Sequence, residues 1–249
     1  MKILITNDDG IHFPGLTDLA DELSADHEIY IFAPAHEKSA TSTAITIYTD
    51  IYVKKLKPKI YVVNGFPADC VNVGIHGNLE DVHFDLIISG INKGYNMGED
   101  VIYSGTVGAA FHAYIHHYPA IAVSCGFLDQ HGDFRKVAIF IRKFLKQHSG
   151  FLSQPVLLNI NYPAEIKKDE IVKWTKLGRR IYRDSYKRIE QSDGSFLMNL
   201  GGSILNHKEE EGTDFDAVET GYISITPLTT DCTNYEQISR FSDRHGQRT

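Results

Sequence analysis

The chain opens with the stretch MKILITNDDGIHFP, residues 1–14, in which an apolar segment runs straight into two adjacent acids. Residues 2–6 are mostly aliphatic or β-branched, so they predict a strand buried on both faces, and Gly10 predicts a sharp turn directly after it. Asp8 and Asp9 would then lie at the carboxyl end of a strand. Ligands of open α/β sheets bind at that edge, because the loops that leave the strands meet there. Taken alone, Asn-Asp-Asp-Gly is also a common turn sequence, so other segments must decide between a turn and a site.

Helical and strand patterns alternate along the following residues. Helices are predicted from near Pro14 to Leu23 and over 68–79, 106–117 and 136–147, and strands over 27–34, 84–89, 120–124 and 155–161. This alternation, with continuous apolar strands, predicts an α/β fold with a mostly parallel sheet and helices on both faces. Right-handed crossovers would place the carboxyl ends of the parallel strands on one side of the sheet.

Two stretches break the alternation. Residues 45–56 (ITIYTDIYVKKL) are rich in Ile, Thr and Tyr and predict a hairpin or extended arm that leaves the sheet. From about residue 168 the strands become short and polar, which predicts a smaller β-rich part. We therefore expect an α/β core with the active site over 1–165 and a β-rich extension over 166–249, with a strand near 221–227 that returns to the core and a polar tail.

Composition limits the class of protein. The chain has 249 residues, of which 42% are hydrophobic and 23% charged, as in ordinary globular proteins. A net charge of −7 argues against a stable nucleic-acid complex, and the lack of an apolar run near the roughly 20 residues of a membrane span argues against a membrane protein. We expect a cytoplasmic location. Cys70, Cys125 and Cys232 lack the spacing of a zinc site or a disulfide framework and are predicted to be small buried residues.

Polar residues follow several of the predicted strands. The segments that would meet at one sheet edge are Asn7-Asp8-Asp9-Gly10, residues 33–39 (APAHEKS), residues 89–98 (SGINKGYNMG) and residues 103–110 (YSGTVGAA). Together they supply carboxylates, a hydroxyl and carboxamides, which are the oxygen ligands that Mg²⁺ and Mn²⁺ prefer. Zinc is disfavoured, because the sequence shows no clustered set of His or Cys.

Ser104-Gly105-Thr106 stands at the predicted start of a helix. Glycine lets the backbone approach a ligand closely, and the unpaired amides of a helix start face bound anions such as phosphate. Ser104 and Thr106 are also ordinary helix-capping residues, so alone they do not define a site. Next to a cation site at the same edge, they indicate phosphoryl transfer.

Other hydrolase motifs do not fit. An aspartate-phosphatase pattern needs two acids separated by one residue, a Walker loop needs a lysine where Glu99 follows Gly98, and no Gly-x-Ser-x-Gly elbow occurs. His12, His36 and His112 lie near the predicted edge and one of them could act as a general acid. With twelve histidines in the chain, structural or surface roles are favoured for each.

Six segments in this order resemble the survival protein SurE family. They are Asn7-Asp8-Asp9-Gly10, Ala33-Pro34 with Ser39, Gly65-Phe66-Pro67-Ala68-Asp69-Cys70-Val71, Ser89-Gly90-Ile91-Asn92-x-Gly94-x-Asn96-x-Gly98, Tyr103-Ser104-Gly105-Thr106-Val107-Gly108-Ala109-Ala110, and Thr213-Asp214 with 221–228 (GYISITPL). The resemblance implies a Rossmann-like fold with a smaller β-rich extension. It also implies a divalent-metal-dependent phosphatase that acts on nucleoside 5′- or 3′-monophosphates, with one Mg²⁺ or Mn²⁺ per subunit, and a homodimer or homotetramer that exchanges arms or tails.

Carried over position by position, the resemblance assigns roles to individual residues. Asp8, Asp9, Ser39 and Asn92 would bind the metal, and Asn96, Ser104, Gly105 and Thr106 would bind the phosphate, with Asp8, Asp9 and Asn96 as the catalytic set. Two alternatives remain: a phosphatase that acts mainly on other phosphate esters or on polyphosphate, and a nucleotide-binding regulatory module without turnover.

The chain departs from the family pattern at a few positions. Ala40 stands where the family usually has Gly, Phe66 where it usually has Thr, and Phe111-His112-Ala113 where an acidic residue and a glycine are common. None of these positions is a proposed ligand, so the departures concern the shape of the base pocket.

Overall fold

The computed structural model of the chain describes residues 1–126, 134–148, 150, 154–167, 170–182, 184–202 and 206–245. In chain order, its elements are β1 (Lys2–Thr6), α1 (Pro14–Leu23), β2 (Glu28–Pro34), β3 (Val53–Lys57), β4 (Ile60–Val63), α2 (Pro67–His76), β5 (Leu86–Lys93), α3 (Asp100–Tyr103), α4 (Gly105–Ile115), β6 (Ala120–Cys125), α5 (Phe134–Gln147), β7 (Leu157–Tyr162), β8 (Val172–Trp174), β9 (Arg180–Ile181), β10 (Asp184–Glu190), β11 (Phe196–Gly202), β12 (Asn206–His207), α6 (Asp214–Glu219), β13 (Ile223–Pro227) and α7 (Tyr235–His245).

A nine-stranded sheet forms the centre of the molecule, with strand order β3-β4-β2-β1-β5-β6-β7-β13-β8. β1 pairs in parallel with β2 and with β5, and β5, β6 and β7 continue the parallel arrangement. The antiparallel pairs are β3 with β4 and β13 with β7. The predicted α/β fold with a mostly parallel, Rossmann-like sheet is confirmed. Because β1, β2 and β5 are parallel, their carboxyl ends lie at the same edge of the sheet.

Helices cover both faces of this sheet because its strands are apolar on both sides. Successive residues of β1 contribute to opposite cores: Ile3 and Ile5 pack with α1 and α5, whereas Leu4 packs with α2 and α4. All three side chains are fully buried, and each such burial contributes about 1.5–3 kcal/mol. The sheet edge that carries the site is therefore held between two packed helix layers.

The predicted hairpin is present but shifted: it spans residues 53–63 and overlaps only the end of the predicted range 45–56. Its strands are β3 and β4, joined at Pro58-Lys59, where Lys59 has a φ of 64°. β4 pairs in parallel with β2, so the hairpin forms the edge of the main sheet, and residues 44–52 lead into it without regular structure. Repeated β-branched residues in 45–52 gave the appearance of a strand, but no neighbouring strand pairs with them.

The part of the chain after residue 166 is β-rich and joins the sheet twice. β13 returns next to β7 at the position where a returning strand is predicted, and β8 pairs with β13. Two small sheets, β10 with β11 and β9 with β12, lie outside the main sheet. The predicted polar tail forms the helix α7, and the division of the chain at residue 165 stays a prediction.

Two further observations concern the cysteines and the helices. Cys70 and Cys125 are buried as predicted, but Cys232 is exposed, because it lies in the irregular segment between β13 and α7. Within the described ranges, no helix is long and apolar enough to cross a membrane.

Candidate active site

The loop after β1 is a tight turn fixed by its own side chain. Asn7 donates from Nδ2 to the Gly10 carbonyl at 3.0 Å and accepts from the Gly10 amide at 3.2 Å. Gly10 has a φ of +103°, a conformation that favours glycine. The loop after β2 is tied to this turn by hydrogen bonds from Ile11 N to Pro34 O at 2.9 Å and from Lys38 N to Asp8 O at 2.6 Å. Both loops thus form one rigid edge that presents Asp8 and Asp9.

The two carboxylates lie in a setting that disfavours their charge. Burial raises the pKa of Asp8, although the Thr106 hydroxyl donates a hydrogen bond to Asp8 Oδ1. Burial, followed by the charges of Asp8 and Glu37, raises the pKa of Asp9 to about 7. Within the described chain, the buried Asp9 Oδ2 atom has no hydrogen-bond partner. A cation here would relieve the repulsion and give this orphaned oxygen a ligand, so the pair fits a metal site.

The side chains of Ser39 and Asn92 leave oxygen atoms for the same site. Ser39 donates its hydroxyl hydrogen to Glu37 Oε1 at 2.7 Å, and Asn92 donates from Nδ2 to the Gly94 carbonyl at 3.0 Å. In both cases the hydrogen is directed to a neighbour, so the Ser39 oxygen and Asn92 Oδ1 keep lone pairs for a cation. Asn92 lies within β5, which continues to Lys93 and not only to Ser89 as predicted.

The start of α4 packs directly on the carboxylate pair. A Cβ at Gly105 would lie 3.0 Å from Asp8 Cβ and 3.0 Å from Thr41 Oγ1, so only glycine allows this approach without displacement. The Ser104 hydroxyl oxygen accepts a hydrogen bond from the Val107 amide at 3.1 Å, so Ser104 caps the helix, which is one of the two roles that the sequence predicts for it. It also lines the cleft above Asp8. The amides of this helix start and the carboxylates are thus in contact, which suits a metal-bound phosphate.

Asn96 is fixed by polar residues that the sequence analysis missed. Its amide donates to Asn161 Oδ1 at 2.9 Å and its Nδ2 donates to Ser124 Oγ at 2.7 Å. Its carbonyl accepts from Asn159 Nδ2 at 2.8 Å and from Asn161 Nδ2 at 2.9 Å. The signal was present as polar residues inside the apolar strands β6 (AIAVSC) and β7 (LLNINY). Each of these three partners is fully buried: the two asparagines fix the Asn96 main chain, and Ser124 orients the Asn96 side chain, which borders the cleft.

Asp214 ties the extension to the same loop. Its carboxylate accepts from the amides of Gly98 and Gly178 at 2.8 Å each and from its neighbour Phe215 at 3.0 Å. The sequence showed Thr213-Asp214 only as part of the family resemblance, without a role. Asp214 is fully buried, and its hydrogen bond with the Gly98 amide joins α6 to the loop between β5 and α3.

An open cleft of about 460 Å³ lies over these residues, within the usual range for a small-molecule site. Its lining includes Asp8, Ser39, Ala40, Asn92, Lys93, Tyr95, Asn96, Asp100, Tyr103, Ser104 and Arg180. Tyr95, Tyr103 and Arg180 were not predicted. Arg180 comes from β9 in the extension and donates from Nε to Asp100 at 3.0 Å, so the extension builds one wall of the cleft.

The donor set consists of oxygen atoms. Among the residues that the structure describes, no group of three or more His, Cys, Asp or Glu side chains is arranged to hold a metal. Two carboxylates with a hydroxyl and a carboxamide suit a hard divalent cation, as the sequence predicts. The cleft brings together five of the predicted site residues: Asp8, Ser39, Asn92, Asn96 and Ser104. Asp9 is the neighbour of Asp8 in the chain, and both Gly105 and Thr106 contact Asp8.

Comparison with known proteins gives a consistent result. The family profile described as Survival protein SurE matches residues 3–184. A protein of Leptospira interrogans named 5′-nucleotidase SurE is 46% identical over 98% of this chain and 97% of its own length. A protein of Geotalea uraniireducens with the same name is 39% identical over 96% of this chain and 97% of its own. The SurE protein structure from Aquifex aeolicus superimposes with a TM-score of 0.83 at 32% identity and covers 98% of this chain and 100% of that one.

The fold and the site define a Rossmann-like α/β protein with a cluster of oxygen donors beside a helix start. The chain belongs to the SurE family, and the resemblance noted in the sequence is confirmed.

Proposed function

We infer that the chain is a divalent-metal-dependent phosphatase that hydrolyses nucleoside monophosphates to nucleoside and phosphate. The observation that carries this inference is the contact between buried Asp8, the neighbour of Asp9, and the start of α4, linked by the Thr106 to Asp8 hydrogen bond. A cation site in contact with anion-facing amides is what phosphoryl transfer requires. The name 5′-nucleotidase SurE of the relative that is 46% identical supports the nucleotide as substrate.

We propose Asp8, Asp9, Ser39 and Asn92 as the ligands of one Mg²⁺ or Mn²⁺ per subunit. The orphaned Asp9 Oδ2 and the oriented Ser39 and Asn92 side chains support this set. When bound, such a cation offsets the charge of the phosphate and polarises the phosphorus centre. Asn96, the Ser104 side chain and the main chain at Gly105 and Thr106 would hold the non-bridging phosphate oxygens, since the Ser104 amide already donates to the Asp100 carbonyl at 3.1 Å.

The attacking water needs a base, and the carboxylate pair supplies the candidates. Asp8 is the member of the pair that lines the cleft, and its Oδ1 accepts a hydrogen bond from the Thr106 hydroxyl. Asp9, with a pKa near 7 in the free chain, is the other candidate. Attack by Asp8 itself, with an aspartyl-phosphate intermediate, is the rival route. Rapid quench with labelled substrate separates the two, because only the rival route leaves labelled protein.

The cleft beyond the phosphate site is lined by Tyr95, Tyr103 and Arg180, which we propose as contacts for the nucleoside. Tyr103 is 59% exposed and its ring makes an edge contact with Tyr182 at a centroid distance of 6.1 Å, so this wall of the cleft offers aromatic surface to a base. Of the departures from the family pattern, Ala40 lies on this cleft. We therefore propose that this part of the cleft sets the base preference.

The test is phosphate release from nucleoside 5′- and 3′-monophosphates, other phosphate esters and short polyphosphate. Each substrate is assayed with chelator and then with Mn²⁺ or Mg²⁺ restored. We expect release from the monophosphates only with metal, and a loss of roughly 100-fold or more in kcat/KM for Asp8→Asn or Asp9→Asn. Preferred release from polyphosphate would favour the first alternative, and nucleotide binding without release would favour the regulatory module. Wild-type turnover by either variant would refute the ligand assignment.

The partners of the chain complete the proposal. We propose that it works as a homodimer or homotetramer on a small nucleotide and forms no stable nucleic-acid complex, in keeping with its net charge of −7. The cytoplasm remains the predicted compartment.

A further inference from the structure

Ser39 differs from the other proposed ligands in carrying a hydrogen on its donor oxygen. A hydroxyl can accept a cation only through its lone pairs, so its hydrogen must point away from the metal. The hydroxyl also turns freely about its C–O bond unless a neighbour fixes it. A site that uses a serine therefore gains from an acceptor placed on the far side of that serine.

Glu37 is such an acceptor. Its Oε1 receives the Ser39 hydroxyl hydrogen at 2.7 Å, whereas Ser39 itself lines the cleft. The main chain around Glu37 is held in place by the Lys38 to Asp8 hydrogen bond of 2.6 Å. It also packs on the turn after β1, since a Cβ at Gly10 would lie 3.6 Å from Glu37 N. The carboxylate that receives the hydrogen is thus attached to the same rigid edge as Asp8 and Asp9.

The charge of Glu37 acts on the same site. It is among the causes that raise the pKa of both Asp8 and Asp9, so its negative charge is close enough to be felt by the pair. Outer carboxylates that orient a ligand and add charge typically change metal affinity by about 10- to 100-fold. Asn92 is oriented by the Gly94 main-chain carbonyl and Asp8 by the Thr106 hydroxyl, whereas Ser39 is oriented by a carboxylate.

We propose that Glu37 is a positioning residue for the cation: it fixes the Ser39 hydroxyl so that the Ser39 oxygen faces the metal. The inference rests on the metal ligands of the proposed function and names a further residue on which their affinity depends.

The test is a double-mutant cycle on Mn²⁺ affinity of the metal-stripped full chain, measured by calorimetry or by the electron paramagnetic resonance signal of free Mn²⁺. The variants are Glu37→Ala, Ser39→Ala and the double substitution, with Glu37→Gln as a conservative variant. We expect Glu37→Ala to weaken binding about tenfold alone and less than about twofold in the Ser39→Ala background. Glu37→Gln keeps an acceptor for the hydroxyl, so we expect it to recover part of the loss.

Controls separate this inference from the proposed function. Glu190→Ala on β10 removes an exposed carboxylate far along the chain and should leave the Mn²⁺ affinity unchanged. If Ser39→Ala binds Mn²⁺ like the wild type, the ligand set itself is wrong. If Ser39→Ala weakens binding but Glu37→Ala does not, or if Glu37→Ala has the same effect in both backgrounds, the ligand set stands and the positioning role of Glu37 is refuted. Thermal unfolding of each metal-free variant reports whether it folds.

Discussion

At the scale of single residues, a group of three histidines lies where α2 meets α4. His76 Nε2 and His116 Nδ1 are 3.2 Å apart, and the rings of His112 and His116 are 4.7 Å apart. Burial, followed by the charges of His116 and His76, lowers the pKa of His112 to about 4, and only Asp69 opposes this shift. His112 Nε2 is buried without a hydrogen-bond partner in the described chain. His112 is one of the departures from the family pattern, and here it is a neutral core residue and not a general acid at the sheet edge.

A buried neutral histidine makes stability depend on pH. The unfolded chain protonates His112 near pH 6.5, whereas the folded chain does so near pH 4, so stability is lost as the pH falls from 6.5 to 4. The shift corresponds to at most about 3.5 kcal/mol. We expect His112→Gln to lose less stability than the wild type between pH 7 and pH 4.5 in urea unfolding. The exposed His12→Gln is the control and should follow the wild type. Equal losses in the wild type and His112→Gln would contradict the prediction.

Some residues of the candidate site could be predicted from the sequence, and others could not. Asp8, Asp9, Ser39 and Asn92 come at or soon after the ends of predicted strands, so strand geometry alone brings them near one edge. Ser124, Asn159 and Asn161 act through hydrogen bonds to Asn96, which is 28 to 65 residues away in the chain. Local pattern carries no information on such partners, because which polar side chains meet is decided by the register of the packed strands.

At the scale of elements, β5 shows why a strand end was misplaced. The sequence predicts that this strand ends at Ser89, but the strand continues through Gly90 to Lys93 with a shift in its pairing to β6 between Ser89 and Asn92. Gly90 has a φ of +138°, and a Cβ there would lie 2.4 Å from the Val123 carbonyl oxygen. The glycine thus allows a shift of register inside the strand, and Asn92 lies directly after this shift, at the edge that carries the candidate site.

The link between α6 and the active-site loop gives a prediction for Asp214. Asparagine keeps one acceptor oxygen in place of two and brings an NH₂ group toward amides that need an acceptor. We expect Asp214→Asn to lower the free energy of unfolding by about 2 kcal/mol and to reduce kcat, since the loop that carries Asn96 loses its anchor at Gly98. Chemical unfolding and steady-state kinetics measure both effects.

Asp216 on the same helix supplies the matched control. Its carboxylate accepts a hydrogen bond from the Gly212 amide at 3.1 Å and is partly exposed, so Asp216→Asn should cost less than about 1 kcal/mol and leave kcat unchanged. If both substitutions had the same effect on kcat, the helix as a whole would matter and the Asp214 contacts would not.

At the scale of the whole molecule, residues after 166 contribute to the cleft of the candidate active site. β9 places Arg180 on the cleft, where its guanidinium bonds Asp100 and packs 4.5 Å from the ring of Phe215. Tyr182 donates to the other Asp100 oxygen at 2.8 Å. The short, polar strands of this part gave no periodic signal from which its docking on α3 could be predicted. The Asp100 carboxylate therefore joins the two parts of the chain at the cleft, in addition to the link through Asp214.

The last helix leaves an apolar surface exposed. Tyr235, Ile238 and Phe241 recur every three residues along α7 and have exposed fractions of 65%, 52% and 53%. Such a stripe on one side of a helix is typical of a surface that packs on a partner. Together with the homo-oligomer that the family resemblance implies, this predicts that α7 packs against a second copy of the chain.

We therefore expect Ile238→Glu to shift the chain to a smaller species in analytical ultracentrifugation at micromolar concentration, because a buried charge in the contact is costly. Ser239→Glu places the same charge one residue further along α7, on a polar position of the helix, and should leave the mass unchanged. A wild-type monomer, or an Ile238→Glu variant that keeps the wild-type mass, would contradict the role of α7. If the cleft is complete within each subunit, as its lining residues indicate, the smaller species should keep its metal-dependent phosphate release. If the smaller species loses phosphate release, the contact between subunits is needed for an active site.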